Sequence, residues 1–287
     1  MVYYVLLFFT IALLSGQSII QKQYNIEFGE VKNSNYLYNF CMTLVACLVF
    51  FIIFIVSPTV NVGSIVYSVL FAITFCVAVF FQFLAIKTGP LALTALVISF
   101  SLLIPIVYGL IFLGENLSVY GIVGISALVL SLVLVNEYKK EEIKITKKYV
   151  FYLILAFLGN GFCTTFQKMH QIVFDGKFGG FFMFVAMAMV ALFNLVMFLV
   201  KKPNKQANFY RKGSMIAGTA GLFNGVCNYL MVILATKLPS TVLYPTVCSG
   251  NMILLFLVAL LIYHEKFKWY QCIGYALGLI AIALLNV

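Results

Sequence analysis

Charge is the first thing this sequence lacks. Charged residues make up 9% of the chain, against roughly a quarter in an ordinary soluble domain. Eight residues are acidic, and none of them falls inside a long apolar run. That excludes an acidic coupling site near the middle of a membrane. The seven cysteines (Cys41, Cys47, Cys76, Cys163, Cys227, Cys248 and Cys272) form no CxxC pair and no zinc-like pattern. Each sits in an apolar run and reads as a small hydrophobe, without disulfide or metal. The two histidines, His170 and His264, stand near the ends of apolar runs without metal-ligand spacing, and read as interfacial. An intramembrane enzyme needs a clustered nucleophile and base, or a metal. No expected span carries His, Asp, Glu, Lys or Arg, so no catalytic residue, metal or cofactor is expected. The opening stretch 2–20 lacks a basic n-region and a small-residue cleavage site, which predicts a retained first span and not a signal peptide.

What the chain has in abundance is apolar surface. Hydrophobic residues are 64% of the sequence, and the mean hydropathy is +1.10. No water-soluble core hides that much apolar area, so the solvent is lipid. A span needs about 20 apolar residues. Ten windows qualify: 2–21, 36–56, 64–86, 91–113, 119–135, 149–167, 178–200, 213–235, 240–263 and 269–286. The loops are short, and none is long enough for a separate domain. The formal net charge of +10 would suggest nucleic acid in a soluble protein. Here the basic residues sit between spans and no nucleic-acid-binding module accompanies them, so the expected partners are a lipid bilayer and a small-molecule substrate. Fifteen of the eighteen Lys and Arg lie in the loops after spans 1, 3, 5, 7 and 9, and three (Lys168, Lys177 and Lys237) lie on the other side. Positive charge is retained in the cytoplasm, which puts both termini outside in the cell membrane.

The windows repeat. Pro90 opens an apolar run ending at Gly114-Glu115, and Pro239 opens one ending at His264-Glu265. The prolines are 149 residues apart and the glutamates 150, as are Asn136 and Asn286 at the ends of the following runs. Gln21-Lys22 and Gln167-Lys168 pair at an offset of 146. The chain therefore reads as two copies of a five-span unit, 1–137 and 149–287, joined by a basic linker, 138–148. Five is odd, so the second copy enters the bilayer inverted. The expected fold is an all-α integral membrane protein with ten transmembrane helices in an inverted 5+5 repeat.

A polar break late in span 1 (Ser15-Gly16-Gln17-Ser18) has a counterpart in span 6 (Gly159-Asn160-Gly161), each followed by Gln-Lys. Gly114-Glu115 and His264-Glu265 each precede a glycine-bearing span that closes its half. Together these residues resemble the drug/metabolite transporter superfamily, EamA-like branch, over both halves. The resemblance implies that spans 1, 3, 4, 6, 8 and 9 line a central substrate cavity while spans 5 and 10 pack at the periphery. Two features depart from the family pattern. Its usual proline midway along span 4 is matched only by Pro105 lower down, and in span 9 by Pro245 higher up. Many members also have both termini inside, opposite to the charge count.

Polar side chains on those spans are the candidate substrate-binding residues. Asn160, Thr164, Gln167 and Gln171 fall on one stripe of span 6. Span 8 carries Asn224 and Asn228 one turn apart, beside a stripe of Gly218, Gly221 and Gly225 that admits a close neighbouring helix. Tyr244, Cys248 and Asn251 share a face of span 9. In the first half Gln17 and Gln21 mark span 1, Gln82 stands alone in span 3, and Ser101 occupies the place of Asn251 in the repeat. The plainer reading of each is interhelical adhesive, worth about 0.6 kcal/mol. Aligned amides on spans 6, 8 and 9 favour a site leaning towards the second half. Glu115 and Glu265 end their spans before short turns, where a carboxylate satisfies the backbone donors opening the next helix. These residues point to a transporter of a small polar, amino-acid-like solute working by alternating access, as exporter or exchanger. A lipid-linked sugar flippase and a non-transporting membrane scaffold are the alternatives; monomer and homodimer are equally open.

Overall fold

The computed structural model describes residues 2–88, 94, 97–98, 100–116, 118–135, 146–201, 207–262 and 268–285. Pro90, Asn136, His264, Glu265 and most of the basic linker lie outside them. The described residues contain ten α-helices, one 3₁₀ turn and no strand. In chain order these are α1 (Val2–Phe28), α2 (Ser34–Val56), α3 (Val62–Thr88), the 3₁₀ turn Phe100–Leu102, α4 (Leu103–Phe112) and α5 (Val119–Val135). There follow α6 (Lys147–Val173), α7 (Gly179–Val200), α8 (Ala207–Lys237), α9 (Ser240–Leu261) and α10 (Trp269–Leu285). Seven helices are long and apolar enough to cross a membrane. The chain is an all-α integral membrane protein.

Among the described residues each expected window holds helix, that of 91–113 being interrupted by the 3₁₀ turn, and several helices outrun their windows. The helices α1 and α6 have 27 residues and α8 has 31. Hydropathy marks where a chain leaves hydrocarbon, whereas the i→i−4 ladder continues as long as backbone donors have acceptors. The expectation that no span carries a charged residue is therefore overturned at α6, which runs on through Lys168 and His170. Both side chains are buried, Lys168 to 2% exposure and His170 completely. His170, near the end of α6, is accordingly packed inside the protein. It stacks on Phe182 with ring centroids 4.2 Å apart and meets the edge of Tyr67.

Packing divides the chain into two compact units. The first comprises Met1–Ile73 and Met169–Thr236, the second Thr74–Lys168 and Lys237–Val287. Each unit draws on both halves of the sequence, and α3 and α6 contribute residues to both.

In the first unit α2 packs along α7. Phe40 stacks on Phe198 and Phe54 on Phe184. The glycine stripe of α8 is the place where α2 comes close: a Cβ at Gly221 would run into the Met42 carbonyl. Tyr24, Leu37, Tyr38 and Phe209 form a buried cluster, in which Tyr24 Oη donates to the Ser34 carbonyl at 2.8 Å. In the second unit α5 packs along α10. Their seam is tied by Ser131 Oγ donating to the Gly274 carbonyl at 2.5 Å, with Leu128, Leu132 and Ala281 buried around it. Large apolar side chains such as Phe8, Ile52, Ile111, Leu192 and Trp269 point outward, as lipid as solvent requires.

Candidate functional site

Within the first unit, α1 and α8 bring their amides together. Asn224 Nδ2 donates to Gln17 Oε1 at 3.2 Å, and Asn228 Nδ2 donates to the carbonyl and Oδ1 of Asn224 at 2.9 and 3.1 Å. Gln17 Nε2 in turn points at the thioether of Met42 on α2. The three amides are half-buried and uncharged. A helix interior satisfies its own backbone, so amides on its side walls must find each other, water or a ligand. These three form a chain in which Gln17 Nε2 is spent on a weak sulfur acceptor only.

The same unit holds a second polar group, formed by the candidate Gln171 with Ser64 and His170, two residues outside the candidate set. His170 Nε2 lies 2.9 Å from Ser64 Oγ, and Gln171 Nε2 lies 2.8 Å from His170 Nδ1. All three are essentially buried, and Gln171 Oε1 has no hydrogen-bond partner. Gln171 thus leaves the stripe predicted for span 6 and belongs to this group instead. Asn194 of α7 donates to Thr43 of α2 at 3.4 Å and serves the seam between those helices.

Within the second unit the stripe on α6 is organised in successive turns. Asn160 Nδ2 donates to Ser101 Oγ at 2.6 Å, reaching the 3₁₀ turn before α4. One turn later the carbonyl of Thr164 accepts from Tyr244 Oη of α9 at 3.2 Å. Thr164 Oγ1 itself donates back to the carbonyls of Asn160 and Gly161. One further turn brings Lys168. Gln167 is buried beside it, and Asn251 is half-buried on α9; both have hydrogen-bonding or ring partners. Gln82 is half-buried on α3, and among the described residues no hydrogen bond joins it to these groups.

Lys168 of α6 and Glu115, just after α4, form a buried ion pair in this unit. Their Nζ and Oε1 lie 3.5 Å apart, with 3% and 12% of the two side chains exposed. Glu115 does accept backbone donors at the start of a helix. The helix is α9, through Ser240 N at 2.9 Å and Thr241 N at 3.2 Å, and not the next one in sequence. That next helix, α5, is capped by Ser118 Oγ, which accepts from Gly121 N at 3.0 Å. The distinction rests on where the chain turns after α4. Leu113 N and Glu115 N both bond to the Gly109 carbonyl, and this folds Glu115 back against its own helix. Glu265, the repeat counterpart, lies outside the described residues.

Residues 147–287, from α6 to the end, match the model of the EamA-like transporter family. These residues, just under half of the chain, are similar to the EamA-like transporter family. The EamA-like half therefore contains α6, α8 and α9, which carry Asn160, Thr164, Gln167, Asn224, Asn228, Tyr244 and Asn251. One solved crystal structure of a protein is similar over 98% of this chain and 95% of its own, at 15% identity and a TM-score of 0.76. At that identity the likeness is one of fold. No curated protein matches the chain. The match of residues 147–287 to that family, with seven helices among the described residues long and apolar enough to cross a membrane, supports a multi-pass membrane transporter.

Sequence reasoning missed Lys168, His170 and Ser64 as buried polar residues. For Lys168 a signal existed: the Gln-Lys pair recurs at a constant offset, which sets it apart from incidental loop lysines. For the Ser64–His170 contact there was none, because 106 residues separate the two.

Proposed function

We propose that this EamA-like transporter moves a small, uncharged or zwitterionic polar metabolite, amino-acid-like in its hydrogen bonding, across the cytoplasmic membrane by alternating access. The observation that supports this reading is the amide chain Gln17–Asn224–Asn228, three half-buried uncharged donors and acceptors on two membrane-length helices. Amides and hydroxyls of this kind exchange hydrogen bonds with a polar solute at little cost, because each can donate and accept. Asn160, Thr164, Ser101 and Tyr244 supply the same chemistry in the second unit. A fixed anionic head group is a poorer fit, since the buried cation Lys168 is already paired with Glu115. The two five-span repeats, 1–137 and 149–287, are the halves that rock in this reading, and export or exchange is the direction proposed for them.

The test is flux through purified protein in liposomes, offered a pooled panel of labelled amino acids, nucleosides and sugars. Saturable flux of one class is expected, lost in Asn160→Ala, Asn224→Ala and Asn228→Ala while each variant still folds. Absence of flux for every class, with folded protein in the vesicles, would sink this reading.

A further inference from the structure

The ties along α6 form a single series. Asn160, Thr164 and Lys168 are spaced four residues apart, so they stand one above another on the same face. Asn160 holds the 3₁₀ turn that leads into α4, Thr164 holds Tyr244 of α9, and Lys168 holds both the end of α4 and the start of α9. In the last of these, Lys168 Nζ donates to the Leu238 carbonyl at 2.8 Å and pairs with Glu115. Glu115 accepts from the first two amides of α9. One carboxylate and one ammonium thus close α4, α6 and α9 on each other. The carboxylate is also gripped from behind, because a Cβ on Gly109 would lie 2.5 Å from Glu115 Oε2.

Such a pair is a poor choice for stability alone. Taking two charges out of water costs so much that a well-packed apolar substitute is as good or better. What a buried pair supplies is an arrangement that is either made or broken, with little in between. A second observation supports this use. Ser240 Oγ, next to the carboxylate, is fully buried and has no hydrogen-bond partner, so the closed arrangement leaves one polar group unmet at its own seam. Meanwhile the groups proposed to meet the solute, Asn160 and the Thr164–Tyr244 pair, are bonded within the protein.

We propose that Glu115 and Lys168 form a latch that holds α6 against α9 and parts when that seam opens to free Asn160 and Tyr244 for a solute. The role of the latch in transport rests on the function proposed above; its existence does not. The probe is N-ethylmaleimide, with labelling of individual native cysteines read by peptide mass spectrometry in the full-length protein in vesicles. Cys163, beside Thr164 in the second unit, and Cys227, in the first unit, are both 5% exposed. In Glu115→Gln and in Lys168→Met the labelling rate of Cys163 rises by about tenfold, while that of Cys227 stays at the wild-type rate. Should Glu115→Gln fail to accumulate, Glu115→Asp carries the same expectation, because its carboxylate is one methylene too short to reach α9. Unchanged labelling of Cys163, or a joint rise of both cysteines, overturns the latch. Absence of solute flux in the folded wild-type protein, with Cys163 still released in the variants, would sink only the proposed function.

Discussion

Tyr244 Oη donates to the carbonyl of Thr164 across 3.2 Å, and so registers α9 on α6 one turn from the Lys168–Glu115 pair. The bond uses a backbone acceptor that is already part of the α6 ladder, which makes it a tie that a modest rearrangement can give up. Tyr244→Phe keeps the ring and removes this one bond. The expected loss of stability is about 0.6 kcal/mol, seen as a shift of a few degrees or less in the thermal midpoint. Solute flux is expected to fall about tenfold or more if the hydroxyl meets the substrate. A fall in flux no larger than the loss of folded protein would return Tyr244 to a purely structural role.

The amide chain in the first unit is expected to act as a pair and not as independent residues. Asn224 and Gln17 share one hydrogen bond, so a cycle of Gln17→Ala, Asn224→Ala and the double variant should show a coupling of about 0.5–2 kcal/mol in half-saturating solute concentration. Additive effects would mean that the two amides do not work on the same solute.

Close approach of α2 to α8 predicts a sharp contrast between neighbouring glycines. Gly221→Ala places a methyl group against the Met42 backbone, which has no free side chain to move aside. It is expected to cost about 1–3 kcal/mol. Gly218→Ala meets only Val45 Cγ2 at 3.6 Å, an ordinary contact, and is expected to be neutral within about 0.5 kcal/mol. Thermal unfolding of the two variants in the same detergent checks the difference.

The buried Ser64–His170–Gln171 group makes its own prediction. Ser64→Ala leaves His170 Nε2 buried without its partner, and the expected cost is about 1–3 kcal/mol. Ser64→Thr keeps a hydroxyl at the same position on α3 and is expected to recover most of that loss. If Ser64→Ala unfolds at the wild-type midpoint, the contact carries no stability.

Much of this was legible from residue order alone. Ten apolar windows became ten helices, because the length of an apolar run measures the bilayer it must cross. The glycine stripe of α8 marked a close helix approach before any neighbour was known. Asn224 and Asn228 could be placed on one face from their spacing, and they do bond to each other. What spacing within one helix could not supply was a partner 207 residues away, such as Gln17 for Asn224. The extent of α6 was likewise hidden. Hydropathy falls at Lys168, yet the helix continues because tertiary partners satisfy the ammonium.

Glu115 shows where the boundary lies. Its place after an apolar run and before a turn marked it as an acceptor for helix-opening amides, which is a local matter of a carboxylate beside backbone donors. Which helix it opens is not local. Ser118 is nearer in sequence and takes α5, while the fold of the chain back on Gly109 leaves Glu115 facing α9, 125 residues on. Sequence by itself determined the solvent, the helices and the types of polar group they carry, because hydropathy and periodicity are properties of a single stretch of chain. Tertiary structure alone decided which of those groups meet, because a hydrogen bond or an ion pair depends on distance in space and not on distance along the chain.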